Sequence, residues 1–364
     1  MRKHYLDNIR WATVLLVMVY HVFYMFNAAG VLGGVGSFEK VQYQDGFLYF
    51  VYPWFMLLLF VVAGMSARYS LEKLPGKEFL RRRTGKLLVP STLGLFAFQW
   101  IVGYFNIKIG GGLAYMPGFL VYPVSAVSGT GPLWFVQTLW LFSLVLLLVR
   151  RIDKDRLYRL GEKCNSVVLL LFALLIWAGA QILNLPVLTM YRFGIYLAGF
   201  LLGYFVISHE SVQERIENMH LPMLVIAVIM GIVYSICYFG ADYSSAPVLR
   251  SLFTNIYAWV MVLAILGCGR AWFDKTGGFA RYMTKNSYGL YVLHYVLVLL
   301  PCYYLKYFTA LPPWLIYLLA IAIVLVATPL LNVVISSIPV IRFLVLGIRR
   351  KNVKGQSNPI KEDQ

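Results

Sequence analysis

A chain of 364 residues that is 60% hydrophobic and only 13% charged lacks the polar cover a water-facing domain needs, since soluble proteins carry about a quarter charged residues. The net charge of +17 does not indicate a nucleic-acid partner, because the basic residues sit in short segments between apolar runs, as in membrane proteins. Composition therefore excludes a soluble globular enzyme and sets the organising unit as the apolar span of about 20 residues.

Ten such runs follow one another, near 11–27, 46–67, 87–106, 131–149, 166–183, 193–208, 221–239, 249–269, 288–305 and 313–335. They predict an all-α polytopic integral membrane protein of about ten transmembrane helices, the sixth run being the shortest. The first run follows a basic start with no convincing small-residue cleavage site, which makes it a first membrane helix rather than a signal peptide. With the N-terminus placed inside, 27 of the 32 Lys and Arg residues fall in inside segments. Only Lys40, Lys108, Arg192, Arg250 and Lys306 fall outside. That asymmetry predicts cytoplasmic N- and C-termini. Residues 1–338 form one transmembrane domain, and 339–364 a short basic cytoplasmic tail whose Pro339–Arg350 stretch reads as an interfacial helix. The outer segments 27–45 and 107–130 are rich in Gly, Tyr and Pro and suit loops folded over the mouth of a cavity. Cys164, Cys237, Cys268 and Cys302 are scattered, with no metal-ligand spacing, so no metal is expected.

Ionisable residues inside a membrane are functional candidates by default. Arg10 and His21 lie eleven residues apart, within about 20° of three full turns and roughly 16 Å apart along one helix face. That spacing suits a substrate whose anionic end stays at the cytoplasmic edge while its reactive end meets a proton-moving imidazole. The alternative is that Arg10 snorkels and His21 bonds a neighbouring helix. Arg81, Arg82, Arg83 and Lys86 open the third run with a charge cluster able to grip phosphates or to anchor at the headgroups. Ser287 and His294, seven residues apart, share a face of the ninth run. Trp134 and Gln137 stand at the outer start of the fourth. Asp45 stands at the outer end of the second, either orienting a polar acceptor or serving as a plain loop carboxylate. Gly64, Gly199 and Gly203 read as sites of close helix packing.

These residues also fall in an order that resembles the membrane acyltransferase 3 family. The likeness begins with Leu6-Asp7-Asn8-Ile9-Arg10 and Val19-Tyr20-His21. It continues through Trp54-Phe55 to Ala63-Gly64, and Phe79 to Leu87 with Pro90. It closes with Leu133-Trp134-Phe135-Val136 and Ser287-Tyr288-Gly289-Leu290-Tyr291 with His294. Lys86 stands where the family has Arg, and Ala63 where it has Ser. The resemblance implies a bacterial multi-pass enzyme of the cell membrane that moves an acetyl or succinyl group from cytosolic acyl-CoA to a hydroxyl of an extracytoplasmic or membrane-associated glycan. It implies catalytic roles for His21 and Arg10. Arg83, Lys86, Arg82, Ser287 and His294 fall to the donor, and Trp134, Gln137 and Asp45 to the acceptor. Residue chemistry alone leaves a saccharide or lipid-linked-intermediate exporter as the rival reading, which would need no donor phosphate site.

Overall fold

The computed structural model describes residues 3–31, 33–186 and 190–348. Every one of the ten apolar runs becomes helix, but only eight of the helices are long and apolar enough to cross a bilayer unaided. In chain order the elements are α1 (His4–Met25), α2 (Tyr43–Lys73), α3 (Gly76–Ile109), α4 (Gly118–Ser128), α5 (Leu133–Asp153), α6 (Ser166–Gly179), α7 (Phe193–Ile207), α8 (Glu210–Asn218), α9 (His220–Tyr238), α10 (Leu252–Phe273), α11 (Gly278–Phe308), α12 (Pro313–Ser337) and α13 (Pro339–Leu346). The expected ten spans thus reduce to eight, or nine if the bent pair α7–α8 counts as one. The reason is length. Helix α6 has 14 residues, a rise of about 21 Å against a hydrocarbon core of about 30 Å. Helix α7 turns by 104° into α8.

The short elements are held by backbone contact rather than by length. A Cβ on Gly64 of α2 would lie 2.0 Å from the Phe200 carbonyl oxygen, and one on Gly203 of α7 would lie 2.2 Å from the Val61 carbonyl oxygen. Only glycine lets these two backbones meet, as the sequence pattern suggests. Between α6 and α7 an antiparallel hairpin pairs β1 (Asn184–Pro186) with β2 (Met190–Arg192). Arg192 is 1% exposed and donates from Nη2 to Asn255 Oδ1 (2.8 Å) and to the Leu249 carbonyl (3.1 Å), tying the hairpin to the start of α10.

Helices α2 and α10 are the most enclosed spans, whereas α9 and α12 turn most of their apolar surface outward. Exposed Val225, Ile229, Ile236 and Val326 are lipid-facing by that arrangement. The segments 27–45 and 107–130 both pack back onto the helices. Val35 and Gly36 donate to the Met25 carbonyl, Gln42 Nε2 donates to the Phe26 carbonyl, and the Ala28 amide donates to Asp45 Oδ2. Helix α4 is pressed onto α3, where a Cβ on Gly103 would lie 1.9 Å from the Ser125 carbonyl oxygen. Helix α13 ends at Leu346, short of the expected Arg350. It buries Val345 and Leu346 against Leu133, Val292 and Leu293 and leaves Val340 and Ile341 exposed. The basic residues from Arg349 to Lys361 lie outside the described residues, as does Arg2.

Candidate active site

Helix α1 packs along α11, and this pairing brings two histidines together. His294 Nε2 lies 3.0 Å from His21 Nδ1, while His294 Nδ1 lies 2.6 Å from the carbonyl oxygen of Tyr291. His294 is fully buried. The two residues lie 273 positions apart in sequence.

His21 borders a cavity of about 370 Å³. Seven tyrosines line it, supplied by five different elements: Tyr20 and Tyr24 beside His21 on α1, Tyr52 at the break in α2, Tyr191 on β2, Tyr196 on α7, and Tyr291 and Tyr295 on α11. Trp134 closes one wall, its ring 5.3 Å from Tyr191 and 5.6 Å from Tyr196. The outer loops contribute Val31 and Gly33 from one side, and Ser128 and Thr130 from the other. Among the described lining residues none carries a carboxylate, ammonium or guanidinium group. Such a wall presents aromatic faces and hydroxyl tips, which suits a neutral, hydroxyl-rich molecule. The Tyr295 ring stands edge-on to His21 at 4.8 Å, and Tyr291 Oη donates to the Pro132 carbonyl at 2.9 Å.

The second assembly lies at the other end of α1. Arg10 bonds Asp7 Oδ1 at 2.8 Å and Ser66 Oγ at 2.8 Å. Arg83 and Lys86 are its electrostatic neighbours and each other's. Arg83 reaches Ser143 Oγ at 3.4 Å and lies over the Phe79 ring, and Lys86 lies over the Tyr288 ring. Among the described residues neither pairs with a carboxylate. Like charges gathered without acids are costly unless an anion joins them. The backbone here is irregular: wide π-turns at Thr84–Leu88 and Leu95–Gln99 flank the Val89–Gly94 stretch that holds Pro90. Such turns recur at functional sites.

The structure therefore brings His21 and Trp134 to one cavity, with His294 buried against His21, and Arg10, Arg83 and Lys86 to one cationic cluster. It does not join the two. Between Arg10 and His21 the shared face of α1 carries Val14 and Val17, which are 4% and 1% exposed, and none of the three cations lines the cavity. The remaining candidates lie elsewhere. Arg82 is an exposed partner of Glu78, and Gln137 Nε2 donates to the Ser91 carbonyl. Ser287 is buried, with its Oγ directed to the Thr284 carbonyl. Asp45 is 3% exposed and braces the 27–45 loop. The tyrosines were missed by the sequence reading. Their signal is present in the i, i+4 pairs Tyr20/Tyr24 and Tyr291/Tyr295 that flank the two histidines.

The family model described as an acyltransferase domain matches residues 3–333 of the chain. No curated protein and no solved structure matches it.

Proposed function

The chain belongs to the acyltransferase 3 family, and from that premise we propose that it carries an acetyl or succinyl group from cytosolic acyl-CoA to a hydroxyl of an extracytoplasmic or membrane-associated glycan, with His21 as the general base. Family membership makes it a multi-pass membrane enzyme that transfers acyl groups. The donor, the acceptor and the base are the present reading, as are a bacterial cell membrane and cytoplasmic termini.

One observation carries the reading. An imidazole sits in a tyrosine-lined cavity on the same helix face as a guanidinium eleven residues away, and that guanidinium, paired with Asp7, belongs to a cationic cluster whose other members, Arg83 and Lys86, pair with no carboxylate among the described residues. CoA is too large and charged to cross a bilayer. Its phosphates would stay with Arg10, Arg83 and Lys86 at the inner edge, and the thin thioester arm would extend along α1 toward His21. An acceptor sugar would come from the opposite side, under the loops that supply Gly33 and Thr130. A cavity without charged lining and rich in aromatic faces favours a neutral sugar over an anionic acceptor.

In the proposed reaction His21 takes the proton from the acceptor hydroxyl as its oxygen bonds to the thioester carbonyl carbon. The tetrahedral adduct collapses with cleavage of the C–S bond. The CoA thiolate leaves and takes the proton back from the imidazolium, giving the ester and free CoA. In this direct transfer His21 acts only as a base; a route through a covalent acyl-enzyme would instead need a protein nucleophile, and none stands out beyond His21 itself.

General-base removal costs about 10²–10⁴ in rate. His21→Ala should therefore abolish acylation while leaving expression and membrane insertion intact. Mass spectrometry of surface glycans from cells with the intact gene, the His21→Ala variant or no gene reads the acyl group and its acceptor together. Normal ester content in the variant would refute the role of His21.

A further inference from the structure

We infer that His294 is a positioning residue for His21: it fixes the His21 tautomer that leaves Nε2 bare, and it receives the proton that His21 passes on. The inference rests on His21 being the base. It follows from the two short contacts of the buried His294 ring.

A backbone carbonyl can only accept. At 2.6 Å from the Tyr291 carbonyl oxygen, His294 Nδ1 must carry a hydrogen. In a neutral imidazole the other nitrogen is then a bare acceptor. That nitrogen, Nε2, lies 3.0 Å from His21 Nδ1, so His21 Nδ1 carries the hydrogen of that bond. His21 Nε2 is left with its lone pair, and His21 borders the cavity. A base needs that arrangement, and an unconstrained imidazole would not hold it.

The same contacts survive one added proton. When His21 Nε2 takes the hydroxyl proton, the Nδ1 hydrogen can pass along the 3.0 Å bond to His294 Nε2. His294 then donates from both nitrogens, to Tyr291 and to His21, and His21 keeps one hydrogen, now on Nε2. Reversal of the two transfers delivers that hydrogen to the leaving thiolate and restores the starting pair. The His21–His294 bond is kept in both states, the Val17 carbonyl one turn below also bonds the His21 ring, and no carboxylate is required. A buried carboxylate holds the imidazole tautomer in the serine-protease triad; here a neutral ring anchored to a helix carbonyl does so.

The test compares His294→Ala and His294→Gln with wild type in purified, lipid-reconstituted enzyme supplied with acetyl-CoA and an acceptor glycan found by mass spectrometry. Glutamine offers an acceptor oxygen near the place of Nε2 but cannot take a proton. Loss of the tautomer costs a triad enzyme about 10⁴ in kcat. His294→Ala should lose about 10²–10⁴ in kcat with little change in KM for acetyl-CoA. His294→Gln should recover at least about tenfold of that loss. In ¹⁵N-histidine spectra of wild type, His21 should be protonated at Nδ1, and in His294→Ala that signature should vanish. A His294→Ala enzyme with wild-type kcat beside a dead His21→Ala would overturn the positioning role and leave the base standing. Full turnover in His21→Ala would remove the base and this inference with it. Should His294→Ala fail to fold, the wild-type spectrum decides, and a hydrogen on His21 Nε2 in the resting enzyme would overturn the assignment.

Discussion

Asp7 pairs with Arg10, but Arg83 and Lys86 beside it pair with no carboxylate of their own among the described residues, and a phosphate group would relieve that repulsion. A charge-assisted hydrogen bond contributes about 1.5–3 kcal/mol, and about 1.4 kcal/mol is tenfold in affinity. Charge reversal by Arg83→Glu with Lys86→Glu, which removes two such bonds, should therefore raise the dissociation constant for acyl-CoA about 10²- to 10⁴-fold, read by equilibrium binding in detergent. Unchanged affinity would remove both from the donor site. Arg82→Ala should matter less, because Arg82 is exposed and already shares Glu78. Arg10 and His21 were legible in the sequence because α1 is one unbroken helix, so a spacing of eleven residues means one face wherever it occurs. The link from His21 to His294 was not legible. Sequence offers no rule that places residue 294 beside residue 21 until the packing of α1 on α11 is known.

At the scale of elements, each apolar run became helix, but α4 and α8 fall outside the runs, and the runs outnumber the described helices long and apolar enough to cross a bilayer. A run of apolar residues looks the same whether its helix runs straight or breaks, and α7, which turns by 104° into α8, is of the second kind. Glycines mark its close packing on α2. Gly64 and Gly203 meet carbonyl oxygens of the opposing backbone, which cannot rotate away as a side chain can. Gly64→Ala must push α2 and α7 apart, an overpacking cost of about 1–3 kcal/mol. The midpoint of thermal unfolding in detergent should fall by several degrees. The control is Gly118→Ala, since a Cβ at Gly118 would meet nothing within 4 Å. Equal midpoints for the two variants would mean that the α2–α7 approach contributes nothing to stability. The α13 helix was legible as an element, but the burial of Val345 and Leu346 at its end depends on a gap beside Leu133 and Val292 that only the assembled bundle provides.

Across the whole molecule the two halves of the proposed reaction are held apart. Val14 and Val17 lie four and seven residues beyond Arg10, on the face that leads to His21, and both are buried. The closed stripe separates the cationic cluster from the cavity. In the proposed reaction, donor binding would have to part the helices along this stripe, and the irregular stretch of α3 from Thr84 to Gln99, next to the cations, is where a span yields most readily. Binding energy gained at the phosphates can drive such a step only if the open form binds the donor better than the closed one. The path can be marked directly with an acyl-CoA that carries a photoreactive diazirine in its acyl chain. After irradiation and proteolysis, the label should fall on α1 between Val14 and His21, and excess acetyl-CoA should suppress it. Charge reversal at Arg83 and Lys86 should suppress it as well, because the phosphates would no longer hold the donor at the inner edge. Label confined to outward residues such as Val225 or Val326 would place the acyl chain in lipid and sever the link between the cations and His21.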